Sequence, residues 1–251
     1  METFLWGVFP YIVALVFFGG LFWRYRYDQF GWTTRSSQLY ESRLLRIASP
    51  MFHYGLFVVL AGHLMGLLIP KAWTDLVVSQ ETYHLVALVA GTLAGIATLV
   101  GIALLIYRRR TTGPVFLATT RNDKLMYVVL VAAIVLGMVA TLTGGHTPTG
   151  EEHNYRETVS IWFRSLVVFQ PDVAAMAAST WQFKVHILIG LGLIALIPFS
   201  RLVHAFTVPL HYLFRPYVVY RSRDSIPPTP SASRIRGWDP VGTKDRDRKA
   251  T

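Results

Sequence analysis

The chain has 251 residues, 53% hydrophobic and only 15% charged, with a net charge of +10 and no cysteine. A water-soluble chain carries about 25% charged residues, so an ordinary soluble domain is excluded, as are disulfides, thiolate-held iron–sulfur clusters and Cys zinc sites within this chain. A basic balance alone would suit nucleic acid, but with membrane-length apolar runs it reads as the Lys and Arg excess of a cytoplasmic face, and no nucleic-acid partner is expected.

Five runs reach the roughly 20 apolar residues that cross a bilayer as a helix. They span about 4–23, 50–70, 83–107, 124–143 and 182–205. The predicted fold is therefore an all-α integral membrane protein, with a five-span domain over 1–214 and membrane lipid around it. The first run has no basic residue ahead of it, and Arg24 and Arg26 follow it. That pattern predicts an uncleaved span that starts outside.

The second run lies in "SPMFHYGLFVVLAGHLMGLLIP" and holds His53 and His63. Ionisable groups at membrane depth are costly and tend to be functional. The third run opens with "QETYHLV", which places Tyr83 and His84 at its start. After the fourth run comes a loop, 144–181, containing "EEHNYRETVSIWFRSLVVFQ". Val159, Trp162, Phe163, Leu166 and Val167 recur there at helical spacing, which predicts an amphipathic helix lying at the membrane surface. His146 and His153 of this loop are expected in solvent. The fifth run, "WQFKVHILIGLGLIALIPFSRLVHAF", holds His186 and His204. His211 follows it, and the basic, Pro- and Ser-rich tail 215–251 is expected to be disordered alone.

Loop charges predict the orientation. Twenty of the 24 Lys and Arg residues fall after the first, third and fifth runs, while Lys71, Arg156, Arg164 and Lys184 fall on the other side. The N-terminus is thereby placed outside and the C-terminus in the cytoplasm. The second and fifth spans then run antiparallel, and their histidines sort by depth. His53 and His204 lie toward the cytoplasm, and His63 and His186 toward the outside.

Two such pairs suit two bis-imidazole haems, because a haem iron takes one axial ligand from each side and facing helices of a bundle can supply both. Gly55, Ala61, Gly62, Gly66, Gly190 and Gly192 would leave room for flat rings. The eighteen residues from His186 to His204 make five helical turns, about 27 Å, whereas His53 and His63 are ten residues apart, about 15 Å and roughly 80° around the axis. A kink at Pro198 is expected to absorb part of that mismatch. A haem-free anchor and a metal-ion transporter are the competing classes; the transporter would want carboxylates inside the membrane.

The stretches "SSQLYESRLLRIASPMFHYGLFVVLAGHLMGLLIP", "IPFSRLVHAFTVPLHYLFRPY" and, less closely, "RRRTTGPVFLATTRNDK" resemble the gamma subunit, a dihaem cytochrome b, of respiratory membrane-bound nitrate reductase, from about residue 8 to residue 221. The resemblance implies two b haems, the inner on His53 and His204 and the outer on His63 and His186. It also implies an iron–sulfur (beta) subunit and a molybdenum (alpha) subunit as partners, with nitrate reduced on the latter. Quinol, whether menaquinol or ubiquinol, would be oxidised near the outer haem, beside Gly66, Tyr83 and His84. The family often has Lys where this chain has Tyr83. A related dihaem subunit of another respiratory complex, heterodisulfide-reductase-like or sulfite-reduction-linked, is the alternative.

Overall fold

Five helices long and apolar enough to cross a membrane dominate the computed structural model, which describes residues 1–28, 37–146, 150 and 153–206. The structure is all-helical, with no β-strand among the described residues. His211 and the tail 215–251 lie outside them.

The first helix, α1 (Thr3–Tyr27), is wound as a π-helix over Thr3–Val8 and as an α-helix thereafter. Pro10 sits in its first α-turn. Proline has no N–H to give to the carbonyl four residues back, and that carbonyl, on Trp6, accepts instead from the Trp162 indole at 2.7 Å.

Helix α2 (Leu45–Leu68) starts earlier than its apolar run. It ends where the residue before Pro70 turns extended, with ψ 119° at Ile69, as a following proline requires. After the short α3 (Lys71–Thr74), Ser79 caps α4 (Gln80–Thr111) by accepting from the Thr82 amide at 3.2 Å. Arg108, Arg109 and Arg110 close the last turn of α4, where cations complement the helix dipole. A short α5 (Gly113–Leu117) leads to α6 (Arg121–Thr143), whose start carries a full capping box between Thr120 and Asp123.

The loop beyond α6 forms α7 (Val159–Val167) and α8 (Val173–Ala177) before α9 (Trp181–Leu196). Helix α7 is the predicted amphipathic helix, but it is packed inward. Val159 and Trp162 are buried with Trp6 and Met176, and Val167 alone of the predicted stripe is largely exposed. The polar side is also spoken for. Ser160 donates to the Gly66 carbonyl at 2.8 Å, Arg164 to that of Leu67 at 3.1 Å, and Arg156, from the turn before α7, to that of Ile69 at 3.2 Å. These are carbonyls that the end of α2 leaves without helical partners, so the loop is a cap on α2.

Helix α9 stops at Leu196, short of the predicted 205. Pro198 cannot donate to the turn before it, and the chain continues as a 3-10 turn, Ile197–Phe199, an extended Ser200, and a second 3-10 turn, Arg201–Phe206. The expected span to 205 is therefore corrected: the chain departs from α-helix at the expected Pro198, and His204 lies beyond the break.

Helix α2 packs along α4, α4 against α6, α6 against α9, and α9 against α1. The α2–α4 approach is close enough that a Cβ on Gly101 would sit 2.6 Å from the Phe52 nitrogen, and one on Gly55 2.9 Å from the Ala94 carbonyl. Helices α2 and α9 make no comparable backbone contact among the described residues.

Candidate functional site

Two pairs of imidazoles meet between α2 and the segment that begins with α9. His53 on α2 and His204 beyond α9 have ring centroids 6.3 Å apart, and His63 and His186 have theirs 5.9 Å apart. Two metal–imidazole bonds of about 2 Å each, with a ring radius added on either side, bring centroids to roughly this separation.

The backbone fixes the tautomers. His53 Nδ1 lies 2.7 Å from the Ser49 carbonyl, His63 Nδ1 2.8 Å from that of Val59, and His204 Nδ1 2.5 Å from that of Arg201. A carbonyl only accepts, so Nδ1 carries the proton in each case and Nε2 keeps its lone pair. Such a second bond is what orients and strengthens a metal-bound imidazole. His186 Nδ1 is buried without a hydrogen-bond partner. Its ring lies against Gly137 of α6, where a Cβ would come within 3.0 Å.

The glycines divide unlike the expectation. Nothing lies within 4 Å of where a Cβ would stand on Gly62, Gly190 or Gly192, so these border open space. Gly55 and Gly66 make room for protein instead: Gly55 for α4, and Gly66 for Tyr155, whose hydroxyl would be 2.5 Å from a Cβ there. No group of three or more His, Cys, Asp or Glu side chains gathers among the described residues, so the histidines act in twos. The donor set and the spacing fit a haem iron between each pair.

The chain segments carrying the His53–His204 level are pinned by buried charge. Arg108, 2% exposed, holds Glu41 at 2.5 Å, the Ser37 hydroxyl and carbonyl at 2.8 Å each, and the Glu41 carbonyl. Glu41 in turn accepts from the Leu44 amide at 2.7 Å. That bond, with the Arg108 guanidinium, holds the Glu41 carboxyl below its ordinary pKa. The start of α2 is tied to the end of α4 in this way.

Of the predicted quinol-site residues, Gly66 and Tyr83 come together and His84 does not join them. Tyr155 lies against Gly66, and burial, with Tyr83 next to it, raises its phenol above the usual range. The Arg156 guanidinium lies 4.2 Å above the Tyr83 ring. His84 is exposed, with no side-chain hydrogen bond, ion pair or ring contact among the described residues. Tyr155 and Arg156 are additions that sequence reasoning missed; an Arg beside an apolar stripe reads as a surface charge until the loop is folded. His153 is corrected too. It is half-buried, 5.7 Å from the Phe183 ring and 3.3 Å from the Thr158 hydroxyl, while His146 is exposed.

The model of the nitrate reductase gamma subunit family matches residues 2–223. The chain belongs to that family. It is 43% identical over 220 residues to the nitrate reductase gamma chain of Bacillus subtilis, covering 87% of this chain and 97% of that one. It is 34% identical over 227 residues to the respiratory nitrate reductase 2 gamma chain of Escherichia coli, covering 89% and 98%. The nitrate reductase-like protein NarX of Mycobacterium tuberculosis H37Rv is 59% identical over 239 residues, which is 95% of this chain but 36% of that protein. This gamma-subunit chain thus spans about a third of the length of its NarX relatives. Five apolar helices make it a multi-pass membrane protein.

Proposed function

We propose that this gamma subunit is the quinol-oxidising, dihaem cytochrome b of a respiratory nitrate reductase in the cell membrane. His53 and His204 hold the haem near the cytoplasm, and His63 and His186 hold the one near the outer face. The observation that carries the reading is the two imidazole pairs at 6.3 and 5.9 Å. Three of the four Nδ1 atoms are committed to backbone carbonyls, which leaves Nε2 for a metal. Bound haem supplies one-electron transfer, and two of them at different depths link the faces of the bilayer.

The remaining work falls to the chain. Quinol gives up two electrons and two protons. It binds at the end where α7 caps α2, near Gly66, Tyr83 and His84, with Tyr155 and Arg156 beside them. His84, exposed at that end, takes the two protons in turn and passes them to the outer water; a neutral imidazole has one nitrogen that accepts and one that donates, which suits this role. The opposite end, with Arg108, Arg109, Arg110 and Arg201, faces the iron–sulfur subunit, which passes electrons to the molybdenum subunit that reduces nitrate.

Haem content tests this directly. Purified protein should give two b haems per chain by pyridine haemochrome. His63→Ala or His186→Ala should remove one of them, and His53→Ala or His204→Ala the other. One haem or none in the intact protein would overturn the reading.

A further inference from the structure

Three of the four paired histidines sit on long α-helices. His204 does not. It lies in the 3-10 turn Arg201–Phe206, beyond Pro198 and an extended Ser200 with φ −125° and ψ 179°. Short 3-10 runs have poor hydrogen-bond geometry and hold their shape weakly by themselves. The position of His204 must therefore be set from outside its own turn.

Arg201 connects it to the rest of the bundle. Its Nε donates to Asp123 Oδ1 at 2.5 Å and its Nη2 to Asp123 Oδ2 at 2.7 Å, with a further bond from Nη2 to the Ala118 carbonyl at 3.1 Å. Asp123 is 3% exposed. It is fixed by the capping box of α6, accepting from the Thr120 amide at 2.8 Å and donating its own amide to the Thr120 hydroxyl at 3.1 Å. Next to it, Asn122 donates to the Phe199 carbonyl at 2.6 Å. The main chain of Arg201 completes the link, because its carbonyl accepts the Nδ1–H of His204 at 2.5 Å. One residue thus grips α6 with its side chain and His204 with its backbone.

We propose that Asp123 and Arg201 are positioning residues for His204. The carboxylate on α6 holds the Arg201 fork, and the fork holds the carbonyl that sets the tautomer and direction of the His204 ring. The ligand strength of the His53–His204 pair then depends on a charge two links away on another helix. The inference rests on the reading of that pair as haem ligands. A planar, bidentate guanidinium–carboxylate pair cannot be reproduced by Lys, whose ammonium is a point charge. The His63–His186 pair lies on two long helices and provides an internal control for folding.

The test uses the full complex in native membranes, with Asp123→Asn, Arg201→Lys, the conservative Asp123→Glu, and His204→Ala as reference. Haem per chain, an optical potentiometric titration and the low-spin electron-paramagnetic-resonance signals are recorded for each. Asp123→Asn and Arg201→Lys should move the midpoint and the signal of the haem that His204→Ala removes. They should also weaken its retention by roughly 10–100-fold, the range usual for lost outer partners of a metal ligand. The other haem should be unchanged, and Asp123→Glu should recover most of the effect. Wild-type midpoints and signals in both variants would overturn the proposal. Equal loss of both haems would overturn it as well, since the pair would then serve the bundle as a whole. Absence of haem from the wild-type complex would be a failure of the parent reading, seen before any variant is compared.

Discussion

Single residues set the chemistry at the loop-capped end of the bundle. His153 is half-buried beside Phe183, and burial holds its imidazole below the ordinary pKa of 6.5. The folded chain thus binds that proton less readily than the unfolded one. The stability this contributes is present above about pH 6.5 and is lost as pH falls from there toward the folded pKa. Hydrogen exchange in the turn Tyr155–Glu157, corrected for intrinsic rate, should therefore rise between about pH 7.5 and about pH 5.5. His153→Gln should flatten that dependence; an equally steep rise in the variant would assign it to another group. At Gly66 the relevant fact is space. A Cβ there meets the Tyr155 hydroxyl at 2.5 Å, so Gly66→Ala should displace Tyr155 and slow quinol oxidation while both haem spectra persist. Unchanged steady-state rates would remove the Gly66–Tyr155 contact from the site.

At the scale of elements, α2 is held closely to α4 and not to α9. The tight face is built on Gly101 and Gly55, where backbone meets backbone. Small residues permit such approach in membrane bundles, where packing replaces a hydrophobic drive. Gly101→Ala should force the helices apart and lower stability by about 1–3 kcal/mol, read as an earlier thermal transition in detergent. Gly19→Ala, on α1 with nothing within 4 Å, should be neutral or slightly stabilising, since Ala is the better helix former. A larger loss at Gly19 than at Gly101 would contradict the packing described. The α7 cap belongs to this scale too. Its two guanidinium groups, on Arg156 and Arg164, sit at the C-terminal end of α2, where the helix dipole is negative, and that placement explains cations beside an otherwise apolar core.

For the whole molecule the consequence is directional. If quinol is oxidised at the α7 end and electrons leave from the end with Arg108 and Arg201, protons are released on one side while negative charge crosses to the other. Each charge crossing fully works against about 2.3 kcal/mol per 100 mV. Sealed vesicles of known orientation, given reduced quinol analogue and nitrate, should acidify on the face opposite the nitrate-reducing partner. Acidification on the partner's own side would overturn the proposed placement of the quinol site.

The five spans were legible in the sequence because a bilayer imposes length and apolarity on each helix separately, and no neighbour is needed to read them. Which histidine lies beside which was legible as well, from the antiparallel order of the second and fifth spans. The sequence could not say how His204 reaches His53. That depended on the break at Pro198 and Ser200 and on Arg201 finding Asp123 on another helix, a contact 78 residues apart along the chain. In the same way, the stripe from Val159 to Val167 predicted a helix at the membrane surface and gave no partner for Arg156 or Ser160. Only the folded loop turned them toward the open carbonyls of α2. Periodicity reports how one element meets its surroundings on average. Long-range hydrogen bonds between loops and helix ends depend on where separate elements come to rest, and no local pattern encodes that.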